Sequence, residues 1–205
     1  MLPDALRELR AQRPTVHVAL YNYHSPEQLE GLRQRSLDLA LVCEPPAADD
    51  PDLACIQVLN DPMLLAVPEG HPLATAQKIK PADLAGQKWI GVVNRDHPLR
   101  HDTFIAACAK AGFTPEITMD VAEPQAALGM VAAGLGLAVI QNSLRYQAPR
   151  GVVLHALPWF SYRAPLWLAW HKVNLRPLVE IFRQTLLETS RMQLQPQPRA
   201  GAAQK

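Results

Sequence analysis

Apolar positions along the chain switch between two spacings. Leu2, Leu6 and Leu9 recur at helical intervals and Pro14 stops the pattern, which predicts an opening helix. The next run, Val16 to Tyr21, alternates as a strand does. Ser25-Pro26-Glu27-Gln28 has the order of a capping box with proline at the first helical position, and predicts a helix carrying Leu29 and Leu32. Leu37 to Cys43 is a short continuous apolar run of the buried, parallel-strand kind. After a loop over Pro45 to Pro51, Ile56 to Leu59 and Met63 to Val67 read as two further strands.

The stretch Glu69 to Lys80, with Gly70 and Pro72, reads as a connection between units, and a second series begins beyond it. It comprises a short helix near Pro81 to Ala85, a strand Trp89 to Val93 and a helix from about Asp102 to Ala111 closed by Gly112. A strand Glu116 to Val121, a helix Pro124 to Ala133 closed by Gly134 and a strand Leu137 to Gln141 follow. Val152 to Leu157 and Leu166 to His171 are further strands. Leu175, Leu178, Val179, Phe182 and Leu186 make the apolar stripe of a terminal helix, which returns to the first half. The alternation predicts α/β architecture in two βαβ-like halves, residues 1–67 with 160–190 and residues 68–159. The tail, 191–205, lacks an apolar period and reads as disordered.

Composition narrows the classes. A chain of 205 residues, 48% hydrophobic and 19% charged, is too apolar for a disordered tail and long enough for two small globular units. The formal charge is +1 and Lys and Arg are scattered, so the basic stripe of a nucleic-acid module is missing and this chain alone is not expected to bind DNA. The charged N-terminus lacks the apolar core of a signal peptide. The longest weakly polar run, Leu128 to Ile140, is too short to span a bilayer. A cytoplasmic protein without membrane association is the expectation. Cys43, Cys55 and Cys108 are far apart and form no CxxC pair, which argues against a disulfide framework and a zinc site. They read as reduced, mostly buried thiols.

Four segments, in order, resemble the effector-binding domain of LysR-type transcription regulators. They are LPDALRELRAQRPTVHVAL, QLEGLRQRSLDLALV, DPMLLAVPEGHPLA with its Pro-x-x-His-Pro-Leu-Ala ending, and VAAGLGLAVIQNSL. The match extends from Leu2 to about Glu188. The resemblance implies two Rossmann-like lobes in the periplasmic-binding-protein (type 2) fold, a small effector in the cleft, and a homodimer. There is one departure: the family has a strand before its first helix, preceded by a winged helix-turn-helix, whereas this chain starts at the helix. A truncated gene and a fragment are both compatible with that.

Ligands of α/β sheets collect at the carboxyl ends of strands, and helix N-termini there favour anions. Three places qualify: Tyr21 to Ser25, Asn94 to His97 and Ala122 to Gln125. His24 and Ser25 stand where the family has a serine-threonine pair, although Ser25 is equally an N-cap. Asn94 and Arg95 are candidates from the other lobe, or solvated loop residues. Glu123 and Gln125 open a helix, where Glu123 would repel a carboxylate and either caps the helix or accepts from a ligand hydroxyl. Gln141 and Asn142 follow a buried strand, at a hinge or a turn.

Gly134-Leu135-Gly136 follows a helix and precedes a strand, the reverse of a nucleotide-binding loop. His97 and His101 have i,i+4 spacing but lack a third metal ligand, so no metal and no cofactor is expected. No catalytic elbow, Walker loop, HExxH or paired carboxylates are present, so an enzyme is not expected. Trp159, Phe160, Tyr162 and Trp167 read as core aromatics. The expected function is sensing of a small organic, anionic effector, relayed through a dimer. Alternatives are the solute-binding protein of a transporter and a truncated, non-functional regulator fragment.

Overall fold

The computed structural model describes residues 1–93, 98–174 and 176–194. In chain order its helices are α1 (Leu2–Gln12), α2 (Ser25–Arg33), α3 (Pro98–Ala111), α4 (Pro124–Ala132) and α5 (Pro177–Leu194). The strands are β1 (Ala40–Val42), β2 (Leu53–Pro68), β3 (Lys88–Val92), β4 (Glu116–Val121), β5 (Ala138–Gln141), β6 (Val152–Ala156) and β7 (Arg163–His171). Short 3-10 turns cover Pro72–Thr75, Pro81–Leu84 and Asn142–Gln147. Two compact units result: Met1–Asn60 with Pro165–Lys205, and Asp61–Ala164. The Glu69 to Lys80 stretch, read as an inter-unit connection, lies inside the second unit.

In the first unit β1 pairs antiparallel with β7, Ala40 opposite Ala169 and Val42 opposite Trp167. The parallel pairing expected of Leu37 to Cys43 is therefore not what this edge makes. Side chains alternate between two cores. Ala40 and Val42 pack with Leu32, Leu53 and Ala169, while Leu39 and Leu41 pack against Ala5, Val58, Leu168 and Leu186. Leu178 is exposed, so α5 buries Leu186 rather than the full stripe read from the sequence; Leu175 lies outside the described residues. The helix continues to Leu194, four residues into the tail read as disordered, and residues 195–205 lie outside the described part.

Two sequence readings of this unit are corrected. The run Val16 to Tyr21 is not a strand: among the described residues it pairs with none, and residues 17–23 are exposed. Alternation supplies only a face, and a strand also needs a neighbouring edge for its N–H and C=O groups. The helix box sits one residue early, because His24 is the N-cap of α2 and its backbone N–H donates to Glu27 Oε2 at 3.0 Å.

In the second unit the later half of β2 is the central strand. It pairs antiparallel with β5 on one edge, Leu64 opposite Ile140, and with β6 on the other, Leu65 opposite His155. The two strands read across Ile56 to Val67 are thus one. Asn60-Asp61-Pro62 looks like a turn, but buried Asp61 accepts the Ser143 N–H at 2.7 Å, so its polarity is satisfied without leaving the sheet. β3 and β4 run parallel, and β3 is tied to Leu137 by Ile90 N–H to Leu137 O and Leu137 N–H to Lys88 O, both 2.8 Å. A side chain at Gly136 would lie 2.9 Å from Lys88 O, and Gly134 takes φ +77 to close α4. The Gly-x-Gly thus has a structural cause.

α4 covers one sheet face with Ala127, Leu128 and Val131 on Leu64, Ala66, Ile90 and Ile140. The other face is aromatic. Trp89 stands 5.8 Å from Phe104 and 5.9 Å from Phe113, ring centre to ring centre, and Phe160 and Tyr162 are each 6.3 Å from Phe104. The Pro-x-x-His-Pro-Leu-Ala segment closes on itself here: His71 Nδ1 accepts the Leu73 N–H at 3.2 Å and Nε2 meets Gln87 Oε1 at 3.2 Å.

Candidate functional site

β3 ends at Val92 shortly before α3 begins, its parallel partner β4 ends at Val121 shortly before α4 begins, and a pocket of the second unit opens at this end of the sheet. Its wall is built from Ile90, Gly91 and Val92 of β3, His101 and Phe104 of α3, and Pro124 in the first turn of α4. Val139 and Gln141 of β5, Met63 of β2 and Tyr162 complete it. Its free volume of about 30 Å³ admits the edge or end of a ligand rather than a whole one. A Cβ at Gly91 would lie 2.5 Å from Asp120 Oδ1 and 3.2 Å from Ile117 Cγ2, so glycine there lets the neighbouring strand β4 approach closely.

The lining is mostly apolar, with His101 and Gln141 as its polar contacts beside the Tyr162 phenol and no carboxylate among the described residues that form it. His101 is part-buried, and its ring has no hydrogen-bond partner among the described residues. Two exposed carboxylates flank the pocket: Asp120, opposite Gly91 in the parallel register, and Glu123, the N-cap of α4. Water screens both.

Of the residues singled out from sequence, Gln141 lines this pocket, and Glu123 and Gln125 flank its Pro124. Gln125 is exposed and donates to Gln147 Oε1 at 3.3 Å, whereas Asn142 opens a 3-10 turn. His24 and Ser25 belong to the first unit. His24 is exposed, while Ser25 is buried with Oγ accepting the Cys43 N–H at 3.2 Å. Asn94, Arg95 and His97 lie outside the described residues.

The sequence reading missed Phe104 and Tyr162 as wall residues and took His101 only as half of a metal pair. The i,i+3 spacing of His101 and Phe104, which puts both on one helix face, was a usable signal. Tyr162 had none, because it reaches the pocket from a distant segment.

Among the described residues no cluster of His, Cys, Asp or Glu is suited to hold a metal. Burial pushes the Cys108 thiol up to about 12 and raises that of Cys55, so neither is a thiolate nucleophile. Cys108 is fully buried, and Cys43 and Cys55 are part-buried; all three are free thiols. The first unit carries a shallow groove lined by Tyr23, Pro26, Glu27, Glu30, Gly31, Gln34, Ser36 and Leu37, whose two carboxylates make it a poor seat for an anion.

Two α/β units sharing strands, with a pocket at the carboxyl end of a parallel strand, define a periplasmic-binding-protein-like (type 2) effector-binding fold. The chain belongs to the LysR family, for the model of the LysR substrate binding domain matches residues 1–191. It is a ligand-binding module and not an enzyme. Among curated relatives, the transcriptional regulator AlsR of Bacillus subtilis is 29% identical over 181 residues, 88% of this chain and 59% of that one. The chain thus spans about three fifths of that relative's length. Three solved structures share the fold. The BenM effector-binding domain with its effector benzoate has a TM-score of 0.80 at 20% identity, covering 100% of this chain and 92% of that one. The effector-binding domain of QuiR with shikimate has a TM-score of 0.74 at 18% identity, covering 94% and 91%. Full-length CbnR with its target DNA has a TM-score of 0.80 at 21% identity, covering 92% of this chain and 66% of that one.

Proposed function

We propose that this chain senses a small organic anion at the pocket of its second unit and relays binding through a homodimer. The observation that carries the reading is the pocket wall itself, mostly apolar, with the His101 ring and no carboxylate among its described residues. An apolar cavity with few convergent polar groups is the usual form of a small-molecule site. The benzoate of BenM and the shikimate of QuiR are both carboxylates, which supports the same ligand class. Gln141, which lines the pocket, supplies a hydrogen bond to the ligand, with Gln125, next to the lining Pro124, as a further contact. The signal comes from a ligand that prefers one conformation of the protein over another, since equal affinity for both shifts nothing.

A thermal-shift screen of aromatic and aliphatic carboxylates tests this. Saturable stabilisation by carboxylates is expected, weakened in a Gln141→Ala variant. Stabilisation by neutral or cationic compounds alone contradicts it.

A further inference from the structure

Independently of that reading, we infer that the groove of the first unit is the docking site of the chain's own segment Pro196-Gln197-Pro198-Arg199. The groove follows α2 and has a free volume of about 460 Å³. Its apolar part is Tyr23, Pro26 and Leu37. The Tyr23 ring stacks on Tyr21, with ring centres 5.5 Å apart and planes 6° from parallel. A Cβ at Gly31 would lie 2.8 Å from Leu37 Cδ1, so glycine there lets Leu37 lie close against the helix. The acidic part is Glu27 and Glu30, at the i,i+3 spacing that puts both on one helix face. Glu27 Oε2 accepts the His24 N–H at 3.0 Å and Glu30 Oε1 accepts from Gln34 Nε2 at 2.8 Å, so both carboxylates are held in place. No Lys or Arg is among the described residues that line the groove. Arg33 lies 3.8 Å from Glu30 but makes its shorter contact, 2.7 Å, with Asp50. An occupant of this groove must bring apolar surface and a positive charge together.

Residues 195–205 contain Arg199 and Lys205 and no Asp or Glu, a charge opposite in sign to that of the groove. Pro196 and Pro198 bias the backbone toward the extended polyproline helix, and segments of that kind dock in aromatic-walled grooves at a low cost in entropy. That helix has three residues per turn, which places Pro196 and Arg199 on one edge about 9 Å apart. Along α2, Glu30 lies six residues from the N-cap His24, which Tyr23 precedes, a rise of about 9 Å. Pro196 against Tyr23 and Pro26 thus brings the Arg199 guanidinium to Glu30 and Glu27, where its planar fork makes charge-assisted hydrogen bonds. α5 ends at Leu194 in the same compact unit as the groove, and the five residues on to Arg199 cover about 15 Å when extended.

The test is trypsin cleavage after Arg199, followed by mass spectrometry, in the unmodified full chain and in a full-length Glu27→Gln, Glu30→Gln double variant. Docking shields the bond, and the double variant is cut there about tenfold faster, the change in released population expected when a charge-assisted contact is lost. Arg199→Gln gives a second readout that leaves α2 untouched: in the isotope-labelled full chain it moves the amide resonances of Tyr23 to Leu37. Both effects persist unchanged on dilution. Equal cleavage rates, or groove resonances that stay in place, overturn the docking. Should the double variant be cut throughout its length, and so be unfolded, the resonances decide alone. Effects that fade on dilution give the groove to the tail of a second copy and overturn docking within one chain.

Discussion

Arg35 follows α2 with φ +59, the left-handed conformation that side chains other than glycine adopt at a cost. The chain turns sharply there, with Ser36 and Leu37 N–H groups both donating to Gly31 O. Replacing Arg35 by glycine should stabilise the protein by about 0.5–1 kcal/mol in chemical denaturation, since the strain outweighs the flexibility added to the unfolded chain. Asp50 illustrates the opposite case, a residue well served by its surroundings. The Leu53 N–H, chiefly, holds its carboxyl below the ordinary value, helped by the Arg33 guanidinium at 2.7 Å and the Asp52 N–H. A depressed value stabilises the fold at pH above the unfolded-state value, ordinarily near 3.8, and that contribution fades as pH falls through the folded-state value. Asp50→Asn should therefore cost about 1–3 kcal/mol at neutral pH and progressively less below pH 4, as urea midpoints across pH would register. Site residues were legible only where chemistry and position coincide in the sequence. Gln141 stood out as polar after a buried strand, whereas Ser25 looked like a cap and instead spends its oxygen on the Cys43 N–H, a partner set by tertiary contact.

Elements were legible where a residue's own preferences decide them. Proline at the start and glycine at the end mark α4, and apolar alternation marks β4, β5 and β6 within a residue or so of their observed limits. The failures share one cause, which is that strand formation depends on neighbours distant in sequence. β2 runs unbroken through Asn60-Asp61-Pro62 because Ser143 satisfies Asp61, and Val16 to Tyr21 stays out of the sheet because no described strand lies beside it. The consequence is measurable. Amides of residues 17–23 should exchange with solvent far faster than those of Leu64 to Ala66, which have partners on both edges. Exposed Val18 and Leu20 in this run are also an aggregation hazard. Changing them to Lys and Thr should raise solubility while shifting stability by no more than about 0.5 kcal/mol. A larger loss would mean that the run is packed against something.

At the scale of the whole molecule, composition bears on partners as much as on fold. With a formal charge of +1 and scattered cations, the chain alone should give no sequence-specific complex with DNA in a mobility-shift assay at physiological salt. A specific complex at submicromolar protein would contradict that expectation. The α/β class followed from alternating periodicities, and the family from four ordered segments. The pocket did not follow, because its wall joins β2, β3, α3, α4, β5 and Tyr162, brought together only by folding. Its role is therefore the claim most in need of a direct test. Amide chemical-shift mapping of the isotope-labelled chain during titration with benzoate provides one. Saturable shifts should concentrate at Ile90 to Val92, at His101 to Phe104, and at Gln141 and Tyr162. Saturable shifts confined to the groove around Glu27 and Glu30, or a titration without saturable shifts anywhere, would contradict the account.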